Sequence, residues 1–279
     1  MVKIPFIKMQ GIGNDYVYID CFENNVDCPQ KLAITVSNRS FGIGSNGLIL
    51  ICPSSVADAK MRMFNADGSE GAMCGNGIRC VGKYVAEKLG KNKLTVETLS
   101  GIKNLVVEQI DDKKAFVTVD MDRAKIDTKI VPVISGEAQL INSSMFFGNT
   151  EYKVTTISMG NPHAVVFHYD IATLPLNEIG PLFEKSELFP ESVNTEFAQY
   201  VAKNEFKMRV WERGSAETLA CGTGACAVVV AACLNGFADY NTEVTVHLLG
   251  GDLYITCYED LSVTMKGYAE TVFYGEYLL

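Results

Sequence analysis

Two cysteines in this sequence lie in the same glycine-rich setting, 147 residues apart. Cys74 is part of C-G-N-G, and Cys221 is part of C-G-T-G. A helix-like segment follows each motif, so each thiol is expected at the positive end of a helix dipole, which favours the thiolate. The glycines leave backbone N–H groups uncovered, and such groups at a helix N-terminus bind carboxylates. The pattern therefore predicts two thiols that act as acid and base beside a bound carboxylate.

Such a pair of thiols is suited to inverting an amino acid at its α-carbon. One thiolate removes the α-proton, and the opposite thiol delivers a proton to the other face. Positioned acids and bases typically contribute about 10²–10⁴ in rate, and N–H donors stabilise the enediolate-like carboxylate. This chemistry requires no cofactor, and the sequence contains no cofactor motif. The alternatives for Cys74 and Cys221 are structural core cysteines, a redox disulfide, and a metal site whose spacings fit no common zinc template.

The same offset of 147 residues extends well beyond the cysteines. Residues 64–77 resemble residues 211–224, and the pair Gly13-Asn14 corresponds to Gly160-Asn161. A fixed offset without gaps indicates an internal duplication. We therefore expect an α+β protein of two homologous domains related by pseudo-twofold symmetry. Each domain is predicted to be a mostly antiparallel sheet around a central helix, with the active site in the cleft between the domains.

The elements that position the thiols follow the same order in both halves. Ile78, Val81, Val85 and Leu89 are spaced for one face of the first helix, which Gly90 is expected to end. The second helix, 225–234, is apolar all round and predicted to be buried. Asn76 and Thr223 are the expected N-cap residues. Strands are expected at 94–101, 103–110 and 115–121, and again at 243–251, 252–258 and 261–267. The expected domains are 1–121, with 268–279 returning to it, and 122–267.

Composition limits the class of protein and its partners. The chain has 279 residues and a formal net charge of −9, which disfavours binding to nucleic acid. Its longest apolar stretch, 225–234, is too short to span a bilayer, and no signal peptide is visible. Nine cysteines and three histidines, without a C-x-x-C pair, predict neither a disulfide framework nor a metal site. We expect a soluble cytoplasmic protein with a small-molecule amino-acid substrate; whether it forms a homodimer stays open.

Five motifs together resemble the diaminopimelate epimerase family along nearly the whole chain. They are GIGNDY (11–16), FNADGSEGAMCGNGIRC (64–80), MGNPHAVVF (159–167), VNTEF (193–197) and ERGSAETLACGTGACA (212–227). The resemblance implies an isomerase that works without pyridoxal phosphate. It would interconvert LL- and meso-diaminopimelate with two cysteines, in lysine and peptidoglycan precursor biosynthesis.

The resemblance also implies a role for individual residues. Cys74 and Cys221 correspond to the acid/base pair, and the remaining matches are expected to bind substrate. Those at the reacting carboxylate are Gly75, Asn76, Gly222 and Thr223, and those at the distal end are Asn65, Asn161, Asn194, Glu212 and Arg213, with Asn14 also in the pocket. An acid for the ammonium group and an arginine for the carboxylate fit a second amino-acid end. His163 is either a hydrogen-bonded structural residue or part of the chemistry.

Two positions depart from the family pattern and leave substrate choice open. Family members commonly carry Asp at the position of Asn46 and Gly at the position of Ala216. One alternative is therefore a racemase or epimerase of the same fold that acts on another amino acid, such as histidine or lanthionine. A non-enzymatic alternative is an amino-acid-binding or redox-sensing protein, which would tolerate replacement of either cysteine by serine.

Overall fold

The computed structural model describes residues 3–278, which form two compact units. Unit 1 ends at Asp120 and resumes at Lys266, and unit 2 is Met121–Met265. The bounds expected from sequence differ from these by one residue at the first junction and by two at the second. Residues 1, 2 and 279 of the expected first domain lie outside the described residues.

Unit 1 is built from strands and two helices. The elements are β1 (Lys3–Gly11), β2 (Asn14–Asp20), α1 (Pro29–Ser37), β3 (Gly47–Cys52), β4 (Ala59–Asn65), β5 (Glu70–Gly71), α2 (Gly75–Leu89), β6 (Lys93–Thr98), β7 (Gly101–Gln109) and β8 (Lys114–Arg123). The pairs β2–β3 and β4–β6 are parallel. The pairs β1–β2, β3–β4, β6–β7 and β7–β8 are antiparallel.

Unit 2 repeats this arrangement after one additional strand. Its elements are β9 (Ser143–Phe147), β10 (Thr150–Ser158), β11 (Pro162–Phe167), α3 (Leu176–Glu184), β12 (Asn194–Ala202), β13 (Glu205–Glu212), β14 (Ala216–Glu217), α4 (Gly222–Leu234), β15 (Glu243–Leu248), β16 (Gly251–Cys257) and β17 (Ser262–Leu278). The parallel pairs are now β11–β12 and β13–β15. Beyond Lys266, β17 belongs to unit 1 and pairs antiparallel with β1.

The bounds of the elements confirm the duplication. Adding 147 to the bounds of β1 (3 and 11) gives 150 and 158, the bounds of β10, and the same sum converts α1 (29–37) into α3 (176–184). Helices α2 and α4 begin at equivalent residues, Gly75 and Gly222. The predicted α+β class and the strands expected after each central helix are confirmed as well.

Each central helix packs against strands of its own unit. Helix α4 is buried from Ala225 to Cys233, as predicted, and its small side chains fit among β10, β11, β12, β15 and β16. Helix α2 buries the predicted face except for Leu89, which lies in a last turn that is exposed from Glu87 onward. It also buries Arg79 and Lys83, whereas α4 has Cys226 and Val230 at the equivalent positions.

Across the described residues, 3–278, the structure contains no helix that is both long and apolar enough to cross a membrane. The same range contains no group of three or more His, Cys, Asp or Glu side chains arranged to hold a metal ion.

Candidate active site

Cys74 is the N-cap residue of α2, and its sulfur atom caps the helix. The side chain accepts a hydrogen bond from the Gly77 N–H, with 3.3 Å between nitrogen and Sγ. The expectation of an N-cap at Asn76 is wrong by two residues, because the thiol itself supplies the acceptor for the first turn. Asn76 lies inside that turn with its side chain buried. A helix N-terminus favours negative charge, so this position favours a thiolate.

A second donor approaches Cys74 from β2. Asn14 Nδ2 lies 3.8 Å from Cys74 Sγ, and both residues are half-buried. Gly77 lacks a side chain for a local reason, since a Cβ there would lie 2.6 Å from Ile49 Cδ1. At Gly77 the first turn of α2 therefore lies directly against the Ile49 side chain of β3.

Cys221 caps α4 in the same way, again two residues before the expected N-cap, Thr223. Its sulfur accepts from the Gly224 N–H at 3.4 Å and lies 3.5 Å from the Thr223 hydroxyl. The thiol is buried, with 5% of the residue exposed. Burial raises the pKa of Cys221 well above its ordinary value, and the nearby carboxylates of Glu212 and Glu196 raise it further. Cys221 is therefore a thiol at neutral pH.

Glu212, at the end of β13, lies beside this thiol. Burial raises the pKa of its carboxyl group, although hydrogen bonds with Thr218 and Cys221 oppose that effect. The sequence predicts Glu212 to bind the distal end of a substrate, and the structure brings it to Cys221. Its neighbour Arg213 points elsewhere, because its guanidinium donates to the Glu191 carbonyl at 2.9 Å.

A chain of hydrogen bonds, buried at its Glu196–His163 end, leads from β12 to the Cys221 helix. Glu196 Oε1 lies 2.7 Å from His163 Nδ1, and both side chains are completely buried. His163 Nε2 lies 3.0 Å from Asn161 Oδ1, and Asn161 Nδ2 donates to the Thr223 hydroxyl at 3.3 Å. His163, left undecided between a structural and a chemical role, is thus hydrogen-bonded at both ring nitrogens and connected to the first turn of α4.

Sequence reasoning missed Glu196. A Cβ at Gly224 would lie 2.6 Å from Glu196 Oε1, so the glycine in C-G-T-G makes room for this carboxylate. The signal in the sequence that could have found it is the motif VNTEF (193–197), where an acidic residue stands in a stretch that forms β12, and a charged side chain is seldom buried without a partner. Glu196 Oε2 is buried and has no hydrogen-bond partner in the described structure.

The other expected binding residues have the following places within the two units. Asn194, buried at the start of β12, accepts from the Arg213 N–H at 2.9 Å and so holds the turn after β13. Asn65 ends β4 and donates to the Ser69 hydroxyl at 3.0 Å. Gly75 and Gly222 begin the two helices. Of the expected site residues, unit 1 contains Asn14, Asn65, Cys74, Gly75 and Asn76, and unit 2 contains Asn161, Asn194, Glu212, Arg213, Cys221, Gly222 and Thr223.

Solved structures of other proteins share this fold. A Bacillus anthracis phenazine biosynthesis protein of the PhzF family aligns with a TM-score of 0.72 at 19% identity, over 100% of both chains. A hydroxyproline epimerase from Agrobacterium vitis aligns with a TM-score of 0.68 at 13% identity, over 98% of this chain and 92% of the other. At these identities the comparisons establish a shared fold.

Sequence comparison then gives the family. The family model described as diaminopimelate epimerase matches residues 6–126 and 155–272. Proteins named diaminopimelate epimerase are 49% identical in Bacillus mycoides, over 99% of this chain and 98% of the relative, and 51% identical in Acetivibrio thermocellus, over 97% of each. A Methanococcus maripaludis relative of that name is 49% identical over 98% of this chain and 99% of its own length. The chain belongs to the diaminopimelate epimerase family.

Proposed function

We propose that this chain is an isomerase that interconverts LL- and meso-diaminopimelate without a cofactor. The observation that carries the proposal is the equivalence of Cys74 and Cys221. Each caps an equivalent helix with its sulfur atom, in a chain whose relatives at 49–51% identity are named diaminopimelate epimerase.

The proposed reaction is a proton transfer between two sulfur atoms by way of one α-carbon. A cysteine thiolate takes the α-proton, and the electron pair of the broken C–H bond moves into the adjacent carboxylate. The second cysteine, as a thiol, then protonates the opposite face of the carbon. The new C–H bond has the inverted configuration, and the two sulfur atoms have exchanged thiol and thiolate states. The reverse reaction starts from that exchanged state.

The N–H groups of the first helical turns are suited to stabilise the charge that develops on the carboxylate. These donors belong to Gly75 and Asn76 in α2 and to Gly222 and Thr223 in α4. Loss of one such donor typically costs about 10²–10³ in rate, so the N–H groups at the helix starts are proposed to contribute to catalysis alongside the thiols.

We propose that the remaining polar residues select a substrate with a second amino-acid end. Glu212 offers a carboxylate to an ammonium group, and Arg213 offers a guanidinium to a carboxylate. Asn65, Asn161 and Asn194 are proposed to complete this set. Residues that must be hydrogen-bonded by substrate reject amino acids that lack the second end, because the unpaired partners are costly.

The proposed chemistry requires thiols that stay reduced. All nine cysteines lie among the described residues, and none of them forms a disulfide there. A reducing compartment keeps such thiols available, so we propose that the protein acts in the cytoplasm on a free amino acid.

Proton NMR of meso-diaminopimelate with the reduced protein in D₂O tests the proposal. We expect the α-proton signal at the inverted centre to disappear while the LL isomer appears. Cys74→Ser and Cys221→Ser serve as controls for the thiols. Histidine and lanthionine, assayed in the same way, test a redirected racemase. A ligand that binds while every α-proton signal persists would contradict catalysis and favour a binding protein.

A further inference from the structure

A chain of hydrogen bonds leads from a cation on the surface of unit 1 to Cys74. Arg39 Nη2 donates to Asn46 Oδ1 at 2.9 Å. Asn46 Nδ2 donates to Asn14 Oδ1 at 2.8 Å, and Asn14 Nδ2 approaches Cys74 Sγ at 3.8 Å. Asn46 is one of the two positions at which this sequence departs from the family pattern, and it lies directly behind the residue that contacts the thiol.

The chemistry of arginine fixes the direction of this chain. A guanidinium group has donors and no acceptor, so Asn46 must turn its carbonyl oxygen toward Arg39. The amide nitrogen of Asn46 then faces Asn14, and Asn14 must accept with its own carbonyl oxygen. Only the amide nitrogen of Asn14 remains to face Cys74. The orientation of both amides therefore follows from their partners, which is the criterion by which amide orientations are assigned.

The cation at the start of the chain is held in place. Arg39 Nη2 also donates to Asp15 Oδ1 at 2.8 Å, and Lys8 Nζ lies 2.5 Å from Asp15 Oδ2. Lys8 is buried and donates in addition to the Gly44 carbonyl. Burial alone would raise the pKa of Asp15, but hydrogen bonds from Arg39 and Lys8 hold it below its ordinary value. Asp15 thus remains a carboxylate at neutral pH and keeps Arg39 in position.

We propose that Arg39 and Asn46 are positioning residues that hold the amide N–H of Asn14 toward Cys74 and thereby favour the thiolate. A donor stabilises the charged form of the thiol, whereas an acceptor at the same place would favour the protonated form. Only the role of this thiolate in catalysis rests on the proposed function, because the reactivity of the thiol can be measured without turnover. Unit 2 has no equivalent hydrogen-bond arrangement, since Val193, which has no polar side-chain atom, occupies the position 147 residues after Asn46.

Replacement of Asn46 by aspartate is expected to reverse the direction of the hydrogen bonds between Asn46, Asn14 and Cys74. A carboxylate has acceptors only, so it would accept from Arg39 on one side and from Asn14 Nδ2 on the other. Asn14 would then present its carbonyl oxygen to Cys74 and accept the thiol proton. Asn46→Asp is therefore expected to make Cys74 a poorer nucleophile, although Asn46 itself does not contact the sulfur atom.

Two ionisable groups that interact electrostatically with Cys74 are Cys80 and Tyr18. Burial raises the pKa of Cys80 to about 11 and that of Tyr18 well above its ordinary value, so both are neutral below pH 9. Arg79, which donates to the Gly75 carbonyl at 3.1 Å, stays charged throughout. A change in the reactivity of Cys74 between pH 6 and about 9 therefore reports on the thiol itself.

Alkylation of Cys74 by iodoacetamide as a function of pH, followed by mass spectrometry of its peptide, tests the proposal in the full-length protein. In Asn46→Asp the midpoint of the profile is expected to move to higher pH by about one unit, with up to a tenfold slower reaction at pH 7. The exposed thiol Cys28 gives an internal control, and its profile is expected to stay unchanged.

A double-mutant cycle separates orientation from added charge. In an Asn14→Ala background the aspartate still adds its charge, but no amide remains to be turned. We expect Asn46→Asp to move the midpoint by less than half as much in that background, and Asn46→Ala to produce a smaller move than Asn46→Asp. An equal move with and without Asn14 would overturn the proposal. Epimerase activity enters none of these measurements, so failure of the proposed function would be seen separately.

Discussion

The two thiol sites share their backbone and differ in their surroundings. Cys74 is half-buried and receives donors from Gly77 and Asn14, whereas Cys221 is buried beside the carboxylates of Glu212 and Glu196. The duplication has preserved the backbone feature that positions each sulfur atom, because a helix begins one residue after each cysteine. The side chains around it have diverged. The resting protein is therefore expected to hold a thiol at Cys221, while the donors at Cys74 favour the thiolate there.

The central helices differ in a related way. Helix α2 buries Arg79 and Lys83, and Lys83 Nζ lies 2.5 Å from Glu87 Oε1, whereas α4 is apolar along its whole buried length. Positive charge is therefore placed in the helix of the donor-rich thiol and negative charge around the buried one. Neighbouring side chains alone thus give two equivalent positions opposite preferences for the proton.

Loss of either sulfur atom is expected to have the largest effect. Cys74→Ser and Cys221→Ser should each lower the rate of epimerisation by at least about 10³, because an alcohol is a far weaker acid and base in this role than a thiol. The measurement is the NMR assay with meso-diaminopimelate, and circular dichroism controls for folding. If one variant keeps most of its activity, the two sites are not partners in one reaction.

Removal of the buried carboxylate in unit 2 is expected to affect stability next most strongly. Glu196→Ala should lower the free energy of unfolding by about 3–5 kcal/mol, because His163 loses its partner in a dry environment. Glu196→Gln, which keeps the shape, should cost only about 1–3 kcal/mol. Urea titrations measure both. Equal losses for the two variants would mean that the negative charge, which both remove, explains the contribution of Glu196, rather than the shape or the acceptor oxygen that glutamine keeps.

The difference between the thiols is expected to appear directly in their reactivity. At pH 8, iodoacetamide should modify Cys74 at least about ten times faster than Cys221, since only the thiolate reacts and the pKa of Cys221 is raised. Glu212→Gln should reduce the difference between the two modification rates, because loss of a neighbouring negative charge lowers the pKa of Cys221. Glu187→Gln, on an exposed part of unit 2, is the matched control. Faster modification of Cys221 in the unaltered protein would reverse the comparison.

The smallest effect is expected at the second departure from the family pattern. Ala216, at the start of β14, has a φ of 61°, in the left-handed region that costs a residue with a Cβ about 1–2 kcal/mol. Part of that cost returns as the greater chain entropy of glycine when unfolded. Ala216→Gly should therefore raise the free energy of unfolding by about 0.5–1 kcal/mol, measured by thermal or urea unfolding. A loss of stability would show that the methyl group makes favourable contacts.

The sequence predicts the duplication, the fold class, and the two helices that carry the thiols, because each depends on local patterns repeated at a fixed offset. The N-cap positions are predicted two residues too late, because Asn and Thr are commoner caps than Cys and the sulfur acceptor leaves no compositional signal. The role of Glu196 and the hydrogen bonds that lead from Arg39 to Cys74 are missed for another reason. Their partners are distant in sequence, and their contacts depend on strand register and side-chain direction, which composition and periodicity do not report.

The distribution of deuterium at early conversion tests the two-thiol mechanism most directly. The LL isomer is incubated with the reduced protein in D₂O and sampled while less than about a tenth has reacted, as initial rates require. We expect the meso product to carry deuterium at its inverted α-carbon while the recovered LL isomer keeps its protons, because different sulfur atoms remove and deliver the proton. Deuterium in the recovered LL isomer as fast as in the product, or a product that retains its original proton, would contradict the assignment of separate roles to Cys74 and Cys221.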